Sequence, residues 1–266
     1  MLNTNHFYIS LSYRLSQNIK KRPRLLKWYK KFCFAFLKPI DVKLTPIFIN
    51  NRNHYTYLKE LIDWLELNGF RNYYVIDNDS SYPPLLEYYR SSLKERVIYL
   101  HKNAGHLSMW REGLIKRVWN SFYVYTDSDV LPVLASSPFL LEDLYTALKK
   151  YDFAIKAGSA IKINDLPKCF ALRDKVVEHE QWFWKNELEP TIFHAEVDTT
   201  FALYLPNYIW QVDHWDQHLR IAGNCEIRHQ PWYQDTDHLT EEQQFYQSNA
   251  STQTHWTNFG AYFSKK

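Results

Sequence analysis

Glycine is scarce in this chain: there are six in 266 residues, and the first is Gly69. No G-x-x-x-x-G-K-[ST] occurs, which excludes a P-loop, because that phosphate cradle is built from glycine backbone. Cysteine is scarcer still. Cys33, Cys169 and Cys225 lie far apart, are odd in number and form no C-x-x-C pair. That pattern suits neither a disulfide framework nor a zinc knuckle and fits a reducing compartment. No run of eighteen apolar residues exists, so no membrane-spanning helix is expected. The longest apolar run, Phe32 to Leu37, is flanked by lysines and lacks a small-residue cleavage site, which argues against a secretory signal. His214 and His218 stand four apart, which on a helix would put them on one face, but no H-E-x-x-H accompanies them and a zinc-protease site is not supported.

Charge of one sign is also missing, locally. Residues 1–43 carry ten Lys/Arg against a single acid, Asp41, leaving 22 basic and 28 acidic residues from position 44 onward. The net charge of +3 therefore hides an arm of +9 and a body of −6. An acidic body repels polyanions, so nucleic acid is not an expected partner. In the arm, Leu25, Leu26, Trp28, Tyr29, Phe32, Phe34 and Phe36 are interleaved with Lys and Arg. Two readings fit: a helix lying on anionic lipid, with membrane contact through residues 14–38, or a basic segment packed on the body through its aromatics. Aromatics make up 17% of the chain, enough for sugar-ring stacking as well as for a core.

From residue 44 the pattern alternates. Short apolar runs at 45–49, 73–76, 97–100 and 122–125 read as strands, and amphipathic segments follow Asn53, Pro83 and Pro138. Strands alternating with helices predict an α/β fold with a single, mostly parallel sheet flanked by helices. A helix is expected from about 170 to 186 and a strand near 197–204, followed by a loop-rich C-terminal part. Repeats and low-complexity linkers are absent, so the expected organisation is an arm (1–43) and one domain (44–266), with a donor-binding half at 44–130 and an acceptor-binding half at 131–266. Ligands of such sheets bind beyond the carboxyl ends of the strands. Three predicted strands end in polar clusters, Asn50-Asn51-Arg52-Asn53, Asp77-Asn78-Asp79 and Asp127-Ser128-Asp129, which places all three on one edge.

Two carboxylates separated by one small residue can reach a single hard cation, with substrate phosphate and water completing its shell. Such a cation neutralises charge on a departing diphosphate. With Pro46-Ile47-Phe48-Ile49-Asn50-Asn51-Arg52, Val75-Ile76-Asp77-Asn78-Asp79-Ser80, Asn103-Ala104-Gly105-His106 and Tyr123-Val124-Tyr125-Thr126-Asp127-Ser128-Asp129 in this order, the stretch 45–130 resembles the family 2 glycosyltransferases and their GT-A-fold relatives. The resemblance implies a Rossmann-like GT-A domain that moves a sugar from a nucleotide-diphosphate donor, with UDP-sugar expected. The acceptor would be a glycan or a lipid-linked chain in surface-polysaccharide synthesis. Mn²⁺ or Mg²⁺ would be the cofactor, and the enzyme would sit in the cytoplasm or peripherally on the inner face of the membrane.

The resemblance also implies site roles. Asn50, Arg52, Asp77 and Asp79 would hold the donor's base and ribose. Asp127 and Asp129 would bind metal and diphosphate, with Asp129 the direct ligand and His229 a further one. An inverting member needs a carboxylate base for the acceptor hydroxyl. Glu142-Asp143 comes too soon after Asp129 to match the family's acidic pair, which leaves Asp198 and Glu196 as candidates. A retaining enzyme needs no such base, so both stereochemical outcomes stay open. Arg220 is a candidate for pairing with a donor phosphate. Alternatives are a sugar nucleotidyltransferase, disfavoured by the missing glycine-rich loop after the first strand, and an inactive GT-A-like carbohydrate-binding protein. A lectin is usually all-β, which the strand–helix alternation opposes.

Overall fold

Apolar runs of five residues give β1 (Ile47–Asn51), β2 (Tyr73–Asp77) and β4 (Tyr123–Asp127), with a shorter β3 (Val97–Tyr99) at the edge. They lie in the order β3-β2-β1-β4, all parallel. The chain is described by a computed structural model over residues 22–135, 137–207 and 216–250. Ile47, Ile49, Val75, Ile76 and Val124 are fully buried, as expected of parallel strands covered on both faces. The Thr56–Leu67 helix turns Leu58, Leu61, Ile62 and Leu65 inward at three- and four-residue spacing. It ends at Asn68 and Gly69, the latter at φ +84°, a left-handed conformation that glycine adopts without the penalty of a Cβ.

The second half adds strands to the same sheet. β6 (Lys156–Ser159), β7 (Glu187–Glu189), β8 (Ile192–His194), β9 (Ala202–Tyr204) and β10 (His218–Ile221) complete the order β3-β2-β1-β4-β9-β6-β10-β8-β7. Among the described residues only β9 and β8 run against the others, so seven of these nine strands share one direction. The α/β class and the mostly parallel central sheet agree with the sequence pattern, though a second, small sheet accompanies it. The C-terminal half departs from it in detail. The helix expected over 170–186 spans only Arg173–Glu180, the strand expected at 197–204 shortens to β9, and β7, β8 and β10 replace expected loop. His218 opens β10, so no helix face joins it to His214, which lies outside the described residues.

A separate two-stranded sheet pairs β5 (Val130–Pro132) with β11 (Ile227–His229), antiparallel. Val130 and Ile227 sit in a small core of their own with Phe170, Val176 and Trp232. Its register sets His229 opposite Val130, one residue from Asp129.

Part of the basic arm is a packed element. The Pro23–Phe32 helix, continued by a wider π turn over Cys33–Leu37, buries Leu26 and Cys33 in the main core. Lys30 is buried too. Its ammonium donates to the carbonyls of Tyr151 and Ala154, and the Tyr29 hydroxyl donates to Pro206 O at 2.8 Å. Burial lowers the Lys30 pKa to about 7, with Asp152 opposing. Among the described residues no helix is long and apolar enough to cross a membrane.

Gly158 marks where the β6 backbone meets the loop before β9. A Cβ there would lie 2.4 Å from Val197 Cγ1 and 2.9 Å from the Ala202 Cβ. Gly158→Ala is therefore expected to destabilise the fold by roughly 1–3 kcal/mol through overpacking. Urea denaturation should show a lower midpoint at unchanged slope.

Candidate active site

β1 has β2 on one side and β4 on the other, and the chain winds outward from β1 to β2 and β3 in one direction only. A crevice opens at such a reversal of strand order, beyond the carboxyl ends. Asn50 and Asp127, on the neighbouring strands β1 and β4, are register partners there. Asn50 Nδ2 donates to Asp127 Oδ1 at 3.2 Å, and Asn50 Oδ1 accepts from Asn78 Nδ2 and, at 2.7 Å, from Ser108 Oγ. Asn78 Oδ1 accepts from Ala104 N at 3.0 Å, and the Tyr125 hydroxyl donates to His106 O at 2.6 Å. The Asn103–His106 segment is thereby drawn to the ends of β1, β2 and β4. Gly105 turns it at φ +76°.

Asp127 is held from the other side as well. Thr199 Oγ1 donates to Asp127 Oδ2, Asp127 N donates to Thr199 O at 2.8 Å, and Phe201 N donates to Thr126 Oγ1 at 3.1 Å. These bonds fasten the loop between β8 and β9 to the acidic turn and bring Asp198 and Glu196, both exposed, to the same edge. Burial raises the Asp127 pKa well above the ordinary carboxylate range, reinforced by the charges of Asp129 and Asp198 and opposed by the bonds from Thr199 and Asn50. Glu196 is raised by loss of solvent and by Asp198, against Lys156, Arg220 and His179.

Asp129 is placed differently. Its Oδ2 faces His229 Nε2 at 3.4 Å, and His54 Nε2 stands 4.0 Å from the same oxygen. Oδ1 of Asp129 and Nδ1 of His229 are buried with no hydrogen-bond partner among the described residues. Gln230 N donates to Asp129 O at 2.7 Å, continuing the β5–β11 ladder into the turn. His54 is stacked on Tyr246, ring centroids 4.0 Å apart, and burial lowers its pKa, with Asp129 and Glu242 opposing.

Among the described residues no three His, Cys, Asp or Glu side chains enclose a metal by themselves. Asp129 has one oxygen, Oδ1, without a partner and the other, Oδ2, 3.4 Å from His229 Nε2, donor types that fit a hard divalent cation taking further ligands from phosphate and water. Both oxygens of Asp127 are already engaged by protein donors.

Other predicted donor residues sit elsewhere. Asp77 is 3% exposed and accepts from Tyr89 Oη and Ser80 N, both at 3.2 Å, so its carboxylate shapes the turn after β2 instead of lying open to a ligand. Asp79 is exposed at φ +63°. Arg52 donates to Asn249 O at 2.8 Å, at the end of the Glu241–Asn249 helix. Arg220 is a correction: it is buried, paired with Glu180 at 2.7 Å, and lies over the Phe183 ring. A guanidinium so held is a structural ion pair and is not free to meet a phosphate.

The Glu241–Asn249 helix lies over the first-strand end. Its Glu242 accepts from Tyr55 N at 2.6 Å, Thr56 N at 3.0 Å and Thr56 Oγ1 at 2.6 Å, capping the Thr56–Leu67 helix, which has no side-chain cap of its own. Between the two helices is a cleft of about 420 Å³, lined in part by His54, Tyr57, Tyr82, Pro231, Gln243 and Tyr246, with His54 shared by the acidic site. Sequence reasoning missed His54, Thr199 and this helix. The only signal for His54 was its position directly after the polar cluster that ends β1.

No protein-family profile and no curated protein matches the sequence. Among solved structures, the chain is similar to glucosyl-3-phosphoglycerate synthase from Mycobacterium tuberculosis in complex with phosphoglyceric acid. That match has 13% identity and a TM-score of 0.44, and covers 78% of this chain and 76% of that one. The same synthase in complex with Mn²⁺ and UDP-glucose matches with 13% identity and a TM-score of 0.41 over 68% of this chain and 69% of that one. Likeness at this level leaves function to be argued from the chain's own residues.

Behind the site, Lys156 is fully buried and donates to the carbonyls of Val197 and Asp198, both at 2.6 Å. Burial lowers its pKa to about 7, with Asp198, Glu196 and Asp127 opposing and Arg220 assisting. Between pH 7 and the free lysine value the unfolded chain holds a proton that the folded chain has released, so stability rises with pH across that window. Lys156→Met is expected to reduce this rise while leaving the similar contribution of Lys30. Denaturant midpoints of both proteins from pH 6 to 10 check it.

Proposed function

We propose that this chain is a metal-dependent glycosyltransferase of GT-A type, moving a sugar from a nucleotide-diphosphate donor, UDP-sugar first among them, to a glycan or lipid-linked acceptor. The observation that carries the reading is the pairing of Asp129 with His229 at the carboxyl edge of the sheet, beside a cleft large enough for a small ligand. It is the kind of edge where α/β sheets bind ligands.

Asp129 and His229 would hold the cation, Mn²⁺ or Mg²⁺. Bound there, the cation would supply charge neutralisation for the departing diphosphate. Asp127, fixed by Asn50 and Thr199, positions the turn that carries Asp129 and keeps a polar wall against the donor. Asn50 and the exposed Asp79 remain the donor-side groups of the first two strand ends, with Arg52 near them. Asp198 or Glu196 would take the proton from the acceptor hydroxyl as its oxygen bonds to the anomeric carbon and the sugar–phosphate bond breaks. Burial and the neighbouring Asp198 raise the Glu196 pKa, which makes it the stronger base for such a step. Transfer to a glycan or lipid-linked chain in surface-polysaccharide synthesis, on the cytoplasmic side of a membrane, is the process such an enzyme would serve.

The test is a thermal-shift screen of UDP-, GDP-, CMP- and dTDP-sugars with and without Mn²⁺. One donor class should raise the melting temperature only when metal is present. Asp129→Asn should abolish that metal-dependent shift and lower donor hydrolysis or transfer at least about a hundredfold, the scale of losing one preorganised charge contact. Full activity in both Asp127→Ala and Asp129→Ala would sink the proposal.

A further inference from the structure

The arm helix is fixed in orientation by its inward face. Leu26 and Cys33 are in the core, the Lys30 ammonium is bonded to two carbonyls at the end of the Leu140–Lys150 helix, and the Tyr29 hydroxyl is bonded to Pro206 O. What remains points away from the body. Leu25, Trp28, Phe32 and Phe36 follow one another at steps of three and four residues, all exposed, Trp28 to 66% and Phe36 to 75%. Their rings form a continuous row, with centroid separations of 6.3 Å for Trp28–Phe32 and 5.3 Å for Phe32–Phe36. Ile40 and Leu44, further along the chain, are exposed as well. A patch of contiguous large apolar side chains on a rigidly seated element needs a partner.

The surrounding charge says which kind. Arg22, Arg24, Lys27, Lys31 and Lys38 are all exposed on the same segment, and Asp41 is the only acid before residue 44. Arg24 and Lys31 lie beside the apolar row on the same helix, whereas Lys27 pairs with Asp152 of the body at 2.6 Å. A second copy paired through this face would bring more cations and, Asp41 apart, no carboxylate from the same segment to meet them. An anionic bilayer offers both halves of the match, phosphate headgroups for the cations and an acyl boundary for Trp28, Phe32 and Phe36.

We propose that the outward face of residues 22–44 is a docking surface for anionic lipid, seating the protein on a membrane through Trp28, Phe32 and Phe36 with Arg24 and Lys31 against the headgroups. The proposal stands on the arm alone and is independent of the transferase reading. It does give that reading a means of reaching a lipid-linked acceptor without a spanning helix.

The experiment is co-sedimentation of the full chain with vesicles of phosphatidylcholine alone and of phosphatidylcholine with 30% phosphatidylglycerol (about a third anionic, a composition that gives surface attraction for basic segments). Wild type is expected on the anionic vesicles at least about tenfold more strongly than on neutral ones, and to dissociate as salt shortens the screening length. Trp28→Ser with Phe32→Ser, and separately Arg24→Glu with Lys31→Glu, should each lose binding by about tenfold or more at unchanged melting temperature, because all four side chains are exposed. Equal binding to both vesicle types, wild-type binding by either double variant, or no vesicle binding, whether or not a concentration-dependent dimer forms that Trp28→Ser/Phe32→Ser dissolves, would overturn it. Asp129→Asn serves as the separating control. Vesicle binding retained there while the metal-dependent donor shift is lost means the two proposals stand or fall separately.

Discussion

Everything at the carboxyl edge of this sheet depends on how one carboxylate is held. Asp127 ends β4 in a place where solvent is largely excluded, and a carboxylate there without donors would be costly. Asn50 supplies a donor from β1 and Thr199 another from the loop before β9. Each of those residues is itself bound onward: Asn50 to Asn78 and Ser108, and the Thr199 carbonyl back to the Asp127 amide. The result is a closed polar layer across β1, β2, β4 and two loops. Such a layer is rigid only when fully satisfied, and here it leaves Asp129, two residues on, as the carboxylate with an oxygen free.

The parallel half of the sheet was legible because its strands are long enough to show their pattern and each is followed by a breaker. β1, β2 and β4 have five residues each and end in polar clusters, so both their existence and their shared edge could be read. The other half hid for the opposite reason. β5, β7, β8 and β11 have three residues apiece, too few for a period of two to stand out from loop. Their pairing is decided by tertiary packing, which a local reading does not contain.

Site residues divide along the same line. Asp127 and Asp129 were visible from position at a strand end, and Asp198 and Glu196 do come to the same edge because Thr199 is bolted to Asp127. His229 reached the site through the β5–β11 register, which no spacing in the sequence announces. Arg220 was read as a partner for a donor phosphate and proved to be part of a buried pair with Glu180, a partner forty residues away. Asp77 was read as open to ligand because it ends β2, yet Tyr89 and Ser80 close over it. The arm was ambiguous for a physical reason: one helix can pack by one face and offer the other, and composition does not tell the faces apart.

The β5–β11 pairing also sets an order of events during synthesis. Asp129 emerges from the ribosome a hundred residues before His229, and chain growth at roughly 5–20 residues per second separates them by several seconds or more. The parallel strands β1 to β4 can meet in that interval, since all of them precede Asp129. The imidazole half of the pair cannot join until β11 has been made, nor can Glu242 cap the Thr56–Leu67 helix until later still. The nascent protein thus holds a recognisable sheet well before Asp129 has its imidazole neighbour, and the carboxyl edge is closed only after Glu242 has been made.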